Sequence, residues 1–212
     1  AYLLSNGTIR TRGRNLYGQL GNGTNTDVSS GTTTVEVSGI NTATKIAVAQ
    51  WTGAALLSNG QVWTWGGNDQ GQLGRGNKVA SNVPVQFDLP SNTAVDIFAS
   101  GKVVCALLAN GQVWCAGDNA GSRITCDSSQ TDKTTPVQFT TMTNLKEVNF
   151  GTFHSVLLTT DGQFYTCGRV YKNTNVAGNA SFLSSISGSW AYTNGPILMD
   201  DICLLYTSDA AD

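Results

Sequence analysis

The most informative segment of this chain reads Leu56-Leu57-Ser58-Asn59-Gly60-Gln61-Val62-Trp63-Thr64-Trp65-Gly66. Asn-Gly between two apolar runs is the strongest short-range sign of a β-hairpin, because a type I′ turn needs positive φ at both central residues. Asn and Gly accept that conformation more readily than other residues. The segment therefore predicts a hairpin in which Leu57 faces Val62 and Leu56 lies near Trp63.

Three further segments of the chain resemble this hairpin. Their turn residues lie at 6–7, 110–111 and 161–162, and from the first turn glycine to the last the steps are 53, 51 and 51 residues. Other marks recur in the same phase: Gly18-Gln19-Leu20-Gly21 returns at 71–74, and the Pro-Val-Gln-Phe run at 84–87 returns at 136–139. A fixed period of about 50 residues indicates a repeat architecture.

Each repeat is predicted to consist of β-strands. After the hairpin, a third strand ends each unit, at 46–49, 97–99 and 148–150, and a short fourth strand carries Val85 or Val137. Four strands in a unit of about 50 residues are typical of β-propeller blades. The fold class predicted is all-β, an incomplete β-propeller of about four blades, each a four-stranded antiparallel sheet. A β-sandwich is the alternative, although sandwiches do not repeat whole blocks.

The motifs resemble the repeat of the regulator of chromosome condensation family. That repeat has Gly-x-x-His, a strand, an Asp-Gly turn, an aromatic strand and then an Asn-x-x-Gly-Gln-Leu-Gly loop. Residues 68–74 match the loop, and Gly151 and His154 match the Gly and His positions of the fourth unit. The resemblance implies a seven-bladed propeller of about 360 residues at this period, with the remaining blades outside this chain. It also implies that His154 lies inside a blade and bonds to the backbone.

Several positions depart from the family pattern. The Gly and His positions hold Gln50 and Gly53 in the second unit, and Gly101 and Val104 in the third. The Gly-Gln-Leu-Gly loop is replaced at 121–124, and Arg10 and Arg12 stand where the second unit has tryptophans. We interpret the chain as a divergent member of the family.

The domain boundaries follow from where the repeat is lost. Residues 1–170 are predicted to be propeller repeats, and 171–201 an irregular loop or a degenerate repeat. Residues 202–212 resemble translated sequencing-adapter read-through, with a fifth hairpin turn as the alternative. The chain starts at Ala1 without a signal-peptide pattern, which we interpret as truncation, so the compartment stays open.

Candidate catalytic and metal-binding residues are few. His154 is the only histidine, and the absence of any Cys-x-x-Cys pair argues against zinc. The predicted register puts the Cys105 and Cys115 sulfurs on opposite faces of the sheet, so a disulfide between them is not expected. Cys126 is interpreted as a possible free thiol and Cys167 as a packing residue. We predict no catalytic residue, no metal and no cofactor.

The charge pattern bears on the class of partner. The formal net charge is −2 and no basic stripe is visible, so nucleic acid is not expected as a partner. No apolar run is long enough for a membrane helix, so no membrane is expected either.

The loop residues Asp69, Asp118, Asp127 and Asp132 are interpreted as turn formers. Arg10, Arg12 and Arg14 share one strand face and could meet an acidic partner or phosphate, and a degenerate terminal blade explains them equally well. Asn-x-Ser/Thr sequons at Asn6, Asn22 and Asn179 are expected by chance.

The function predicted is a non-catalytic propeller module that binds a protein through its inter-strand loops. The loop at 121–133 departs most from the repeat, which makes Arg123 and Asp127 the candidate binding residues. Structural roles are predicted for Gly151, His154, Asn59, Gly60, Asn110, Gly111, Asp161 and Gly162. The family resemblance adds two alternatives: guanine-nucleotide exchange on a Ran-like small GTPase, and a secreted binding propeller like the bacterial β-lactamase inhibitor protein of this repeat type.

Overall fold

The computed structural model describes residues 1–28, 32–120, 123–126, 129–151, 153–171, 190–193 and 195–199. Within these ranges there are sixteen β-strands and no α-helix. All strand pairs are antiparallel. The first sheet contains β1 (Tyr2–Leu3), β2 (Ile9–Thr11) and β3 (Val35–Glu36). The second contains β4 (Ala43–Val48), β5 (Thr52–Leu57), β6 (Val62–Gly66) and β7 (Ser81–Gln86).

The third and fourth sheets follow the same plan. The third contains β8 (Ala94–Ser100), β9 (Val103–Leu108), β10 (Val113–Gly117) and β11 (Lys133–Gln138). The fourth contains β12 (Leu145–Phe150), β13 (His154–Thr159), β14 (Phe164–Tyr171) and β15 (Trp190–Tyr192), and β16 (Ile197–Leu198) also pairs with β14. The predicted all-β class with four successive antiparallel sheets is confirmed. Four strands per sheet hold for the second and third, while the first shows three and the fourth five among the described residues.

The predicted third strands are present, but they open the next sheet instead of ending their own unit. β4 pairs with β5, with Ile46 opposite Ala55. The reason is the short connection between these two strands, which the Ala49 amide closes by donating to the Thr52 carbonyl at 2.9 Å. β8 and β12 relate to β9 and β13 in the same way.

The turn at Asn59-Gly60 differs from the predicted type I′ turn. The Gly60 amide donates to the Leu57 carbonyl at 3.0 Å, and the Leu57 amide donates to the Gln61 carbonyl at 2.9 Å. Gly60 has φ +79°, while Asn59 is not left-handed. This is a type I turn followed by a left-handed glycine, a pattern that creates a bulge. The predicted register was therefore wrong by one residue: Leu56 faces Val62, and Ala55 faces Trp63.

The same turn occurs in all four units. Gly7, Gly111 and Gly162 also have positive φ, and their amides donate to the carbonyls of Leu4, Leu108 and Thr159 at 3.0, 2.9 and 3.1 Å. A Cβ on Gly60 would lie 2.4 Å from the Asn92 carbonyl oxygen. Glycine is thus required here both for its backbone conformation and for the close approach of another segment.

The fourth hairpin matches the second when both are counted from the turn glycine. Leu158, and not Leu157, then corresponds to Leu56. Leu158 faces Phe164, as Leu56 faces Val62. Counted in this register, His154 corresponds to Thr52, not to the Gly53 that the sequence comparison placed there. Counted from the turn glycines, the step from the third to the fourth hairpin is 51 residues, the same as from the second to the third.

Cys105 and Cys115 form a disulfide, contrary to the sequence prediction. The two residues are directly opposite each other in β9 and β10, with Cα atoms 4.1 Å apart. The error follows from the turn, because a slip of one residue moves every side chain to the other face of its strand. The second sheet has Ala54 opposite Thr64 at this place.

Cys126 and Cys167 form a second disulfide across 41 residues of sequence. The predictions of a free thiol at Cys126 and of simple packing at Cys167 were therefore wrong. Cys126 belongs to the segment between β10 and β11, and Cys167 lies in β14. This disulfide joins a loop to a strand of another sheet, so no local pattern in the sequence predicts it.

The described residues form two compact units. Unit 1 contains residues 1–118 and 131–143, and unit 2 contains 119–130 and 144–212. The main core of unit 1 packs apolar side chains of the second and third sheets, among them Leu56, Phe87, Ile97 and Leu108. Among the described residues of unit 2 the buried apolar side chains are Ile124, Cys126, Leu145, Val148, Leu157 and Cys167. The predicted domain boundaries after residues 170 and 201 stay predictions, and 202–212 lie outside the described residues.

Candidate functional site

Three of the long inter-strand loops contain a buried asparagine: Asn15, Asn68 and Asn119. The Oδ1 atom of each accepts the amide five residues later, from Leu20, Leu73 and Ile124, at 2.9 Å in every case. The Nδ2 atom of each donates to a carbonyl nine or ten residues later, that of Thr24, Asn77 and Ser129, at 2.8, 2.9 and 2.9 Å. We call this arrangement the asparagine clamp.

The asparagine clamp ties each loop to itself with one side chain. Satisfying several buried backbone groups in this way rigidifies a segment that has no regular secondary structure. The loop of Asn119 keeps the clamp although its Gly-Gln-Leu-Gly sequence is gone. The loops therefore hold their shape independently of most of their side chains.

The clamped loops of unit 1 expose apolar side chains to solvent. Leu16 is 65% exposed and Tyr17 44% exposed in the first loop, and Val79 is 63% exposed in the second. Tyr17 packs edge-on against Trp51 with ring centroids 5.3 Å apart. Large apolar side chains exposed on otherwise polar loops are candidates for sites of interaction.

A cavity of about 370 Å³ lies beside Tyr17 and Trp51 in unit 1. It is lined by Tyr17 and Trp51 and by the charged residues Asp69, Lys78 and Lys102. Lys102 binds Asp69, and Lys78 binds Asp132 at 2.6 Å. Burial acts to raise the pKa of Asp69, but hydrogen bonds from Lys102 and Gln72 outweigh it and hold the pKa below its ordinary value. We call this place the aromatic–lysine pocket.

The predicted binding residues lie elsewhere, in unit 2. Arg123 is 5% exposed, and its guanidinium donates to the Gly151 carbonyl at 2.7 Å. It stands directly before the clamped amide of Ile124, as Gln72 stands before that of Leu73. In this conformation Arg123 presents almost no surface to a partner. Asp127 lies outside the described residues, and a binding role for the pair stays a prediction.

Gly151 and His154 flank the turn between β12 and β13. The Gly151 amide donates to the His154 carbonyl at 2.8 Å, and a Cβ on Gly151 would lie 2.7 Å from the imidazole. The half-buried imidazole makes no hydrogen bond to the residues that the structure describes, unlike the backbone bond that the resemblance implies. Burial and, to a smaller extent, the positive charge of Arg123 lower the pKa of His154.

The other charged candidates do not converge on a catalytic arrangement. Arg10 binds Glu36 at 3.2 Å, and Arg12 and Arg14 line a separate cavity of about 320 Å³. In the described part of the chain no group of three His, Cys, Asp or Glu side chains is placed to hold a metal ion. The same residues contain no helix long and apolar enough to cross a membrane.

The sequence analysis missed the exposed apolar residues of unit 1. One signal for them was present: Leu16 and Tyr17 occupy loop positions where the matching loop has Asp69 and Gln70. An apolar pair between the clamp asparagine and the turn glycine is unusual, since such loops are ordinarily polar.

Comparison with protein families finds the regulator of chromosome condensation (RCC1) repeat at residues 59–107, and a second model of the same repeat at 43–72. The chain is 34% identical to the human E3 ubiquitin-protein ligase HERC2 over 126 residues, 56% of this chain and 2% of that protein. It is 30% identical to the regulator of chromosome condensation of Drosophila melanogaster over 168 residues, 76% of this chain and 30% of that protein. The chain thus spans less than a third of either relative.

Solved structures show the same fold. Human WBSCR16 matches with a TM-score of 0.71 and 17% identity, over 88% of this chain and 46% of that one. Yeast RCC1 (Prp20), crystallised with Kap60, matches with a TM-score of 0.71 and 18% identity, over 92% and 45%. Prp20p from Saccharomyces cerevisiae, studied for its binding to Gsp1p and histones, matches at 0.68 and 21%, over 94% and 48%. The four sheets are therefore blades of a β-propeller.

Proposed function

Because the chain belongs to the RCC1 repeat family, we propose that it is a non-catalytic module that binds another protein through its clamped loops. The exposed apolar side chains of the two clamped loops in unit 1 carry this proposal. Leu16, Tyr17 and Val79 stand on loops that the asparagine clamp holds rigid. A rigid loop loses little conformational entropy on binding, so the burial of these side chains contributes to affinity almost in full.

The charges of the aromatic–lysine pocket favour a protein over a nucleic acid. Its two lysines are both paired with aspartates, Lys78 with Asp132 and Lys102 with Asp69. Paired lysines have little charge left to replace the counterions of a phosphate backbone. Aromatic side chains beside paired charges resemble the centre and rim of a protein interface.

The test replaces exposed apolar side chains without touching the clamp. We expect the double variant Leu16→Ser, Val79→Ser to bind the partner recovered by the full-length protein at least about tenfold more weakly. Val95→Ser is the matched control, since Val95 is 47% exposed but lies on β8 and not on a clamped loop. Unchanged affinity in the double variant, or an equal loss in the control, would contradict the proposal.

The loop at 121–133 is proposed as a second contact, with Arg123 and Asp127 as its binding residues. The support for it is the departure of this loop from the repeat sequence. Arg123 has to leave its contact with the Gly151 carbonyl to reach a partner. Asp127→Ala tests the loop while the Arg123 side chain is kept, and unchanged affinity for all recovered partners would remove this loop from the proposal.

Guanine-nucleotide exchange on a Ran-like small GTPase is the second candidate function. The observation in its favour is the similarity to Prp20p, whose binding to Gsp1p has been studied. The measurement is the rate at which a labelled guanine nucleotide leaves the GTPase in the presence of the full-length protein. A rate equal to that of the GTPase alone would leave only the binding function.

A further inference from the structure

We propose that this chain matures in an oxidising, exported compartment and that Asn6 carries an N-linked glycan there. Two observations support the proposal independently: the pair of disulfides, and the way in which the first hairpin turn differs from its counterparts in the second and third sheets. The proposal is compatible with protein binding through the loops, but it and the guanine-nucleotide exchange candidate are alternatives, because a Ran-like small GTPase works in the reducing cytosol and nucleus.

The disulfides indicate the compartment. Four of the five cysteines are paired, one pair across β9 and β10 and the other between a loop and β14. The second sheet builds the same hairpin with Ala54 opposite Thr64, so the repeat itself does not need cysteines at this place. Thiols stay reduced in the cytosol and nucleus of ordinary cells, whereas structural disulfides accumulate in exported proteins. Two unrelated pairs in one chain point to export.

The first hairpin turn has a free amide where the others do not. In the second and third sheets the turn reads Asn-Gly-Gln, and the Nδ2 atoms of Asn59 and Asn110 donate to the glutamine side chain at 3.0 and 3.1 Å. The first turn reads Asn6-Gly7-Thr8, which is an N-glycosylation sequon. There the Oδ1 atom of Asn6 accepts both the amide and the hydroxyl of Thr8, at 3.1 and 2.8 Å.

This arrangement leaves the Nδ2 atom of Asn6 without a partner among the described residues. Asn6 is exposed, so a large sugar attached at that nitrogen is compatible with the folded sheet. Asn22 has the same sequon but is half-buried, and its Oδ1 atom also accepts from the clamp residue Asn15 at 3.2 Å. The third sequon, at Asn179, lies outside the described residues. Asn6 is therefore the favoured acceptor of the two described.

The chemistry requires two co-reactants of the exporting compartment. In the glycosylation step, the Nδ2 atom of Asn6 forms a bond to C1 of the sugar and loses one proton. The bond from C1 to the diphosphate of a polyprenyl-linked oligosaccharide breaks, and the diphosphate leaves with the electron pair. Each disulfide forms when two thiols lose two protons and two electrons to a disulfide oxidant of the compartment.

The glycan is tested by peptide mapping of the chain secreted from a eukaryotic host behind a cleavable signal sequence, and of the protein isolated from its source. We expect most of the peptide that contains Asn6 to carry a sugar in both samples. Thr8→Gln, which restores the turn sequence of the second sheet, abolishes this modification. Gln61→Thr, which creates the same sequon in the second sheet, adds a sugar at Asn59. Folded protein from either origin with an unmodified Asn6 overturns the glycan.

The compartment has its own readout. Non-reducing peptide mapping of the protein from its source is expected to show the two cross-linked pairs, Cys105 with Cys115 and Cys126 with Cys167. The same chain made in a reducing cytosol is expected to keep these four thiols free and to unfold at a lower denaturant concentration. Free thiols in the protein from its source overturn the export argument, whatever the result for the loops and their partner.

Discussion

The second and fourth sheets use the same cross-strand position in opposite ways. In the second sheet Gly53 faces Trp65, and the tryptophan fills the space above the glycine so closely that a Cβ there would lie 2.4 Å from the ring. Trp65 is 1% exposed, and its Nε1 atom donates to the Gln19 carbonyl at 3.1 Å. A single large side chain thus fastens the first clamped loop to the second sheet.

In the fourth sheet the matching pair is Ser155 and Cys167. Both are small and fully buried, and Cys167 is joined to Cys126 by a disulfide. The loop of unit 2 is therefore held to its strand by a covalent bond instead of an aromatic ring. The repeat fixes the strand position at which a loop is held to its sheet. A packed tryptophan holds the loop there in the second sheet, and a disulfide does so in the fourth. This comparison leads to four predictions.

The largest effect is expected from Trp65→Ala. Truncating a buried tryptophan removes its packing and leaves a cavity, which costs about 3–5 kcal/mol of unfolding free energy. Denaturant unfolding followed by far-ultraviolet circular dichroism measures the loss. Trp63→Ala is the control, because Trp63 lies on the same face of β6 but is only half-buried. Equal losses in the two variants would show that Trp65 has no special role.

The next largest effect is expected when Cys126 and Cys167 are both replaced by Ala. This disulfide closes 41 residues of chain, for which loop-closure entropy predicts a loss of about 4 kcal/mol, less any native strain that is released. The matched variant Cys105→Ala, Cys115→Thr opens a loop of only 10 residues and should cost about 1 kcal/mol less by the same entropy. A larger loss in the matched variant would refute the loop-closure explanation.

A smaller effect is expected from Arg123→Gln, which places in unit 2 the residue found at Gln72 in unit 1. The change removes the hydrogen bond to the half-buried Gly151 carbonyl, and a carbonyl left without its partner in such a place costs up to about 1–3 kcal/mol. Arg12→Gln, at an exposed site, is the control. Weaker partner binding with unchanged stability would instead assign Arg123 to recognition.

The smallest effect is a pH dependence that involves the only histidine. Burial, and after it the charge of Arg123, lowers the pKa of His154 from 6.5, so the folded chain binds fewer protons than the unfolded chain just below that pH. The free energy of unfolding therefore rises with pH between the lowered pKa and 6.5. The contribution of His154 is lost as the pH falls through the same window. Denaturant midpoints compared on either side of this window should differ for the natural chain and not for His154→Gln. A difference of the opposite sign would contradict this explanation.

The repeat and its strands were predictable, and the register was not. Three Asn-Gly turns and one Asp-Gly turn at a regular spacing located the four hairpins, because few other residues accept the left-handed conformation. The same dipeptide serves both a type I′ turn and a type I turn followed by a left-handed glycine, and these differ by one residue of register. With the predicted turn, Cys105 and Cys115 lie on opposite faces of the sheet. With the observed turn they lie directly opposite each other and form a disulfide.

The candidate site was less predictable than the fold. The sequence showed which loop departs from the repeat, but it did not show that Arg123 is buried against Gly151 or that Cys126 meets Cys167. Those contacts depend on how a loop meets a strand or a turn more than 25 residues away, which no local pattern encodes. The exposed Leu16 and Tyr17 left a signal in their unusual positions, and a comparison of matching loops would have found it.

The asparagine clamp makes these loops suitable for re-engineering as a binding scaffold. Asn68 fixes the Leu73 amide and the carbonyls of Asn77 and Val79, so the path of the loop depends on one side chain and on backbone groups. A library that varies positions 69, 70, 75 and 78 while keeping Asn68 and its glycines would display new surfaces on an unchanged frame. Natural variation has already sampled this principle at 122–125, where all four residues of the Gly-Gln-Leu-Gly motif were exchanged and the clamp on Asn119 survived.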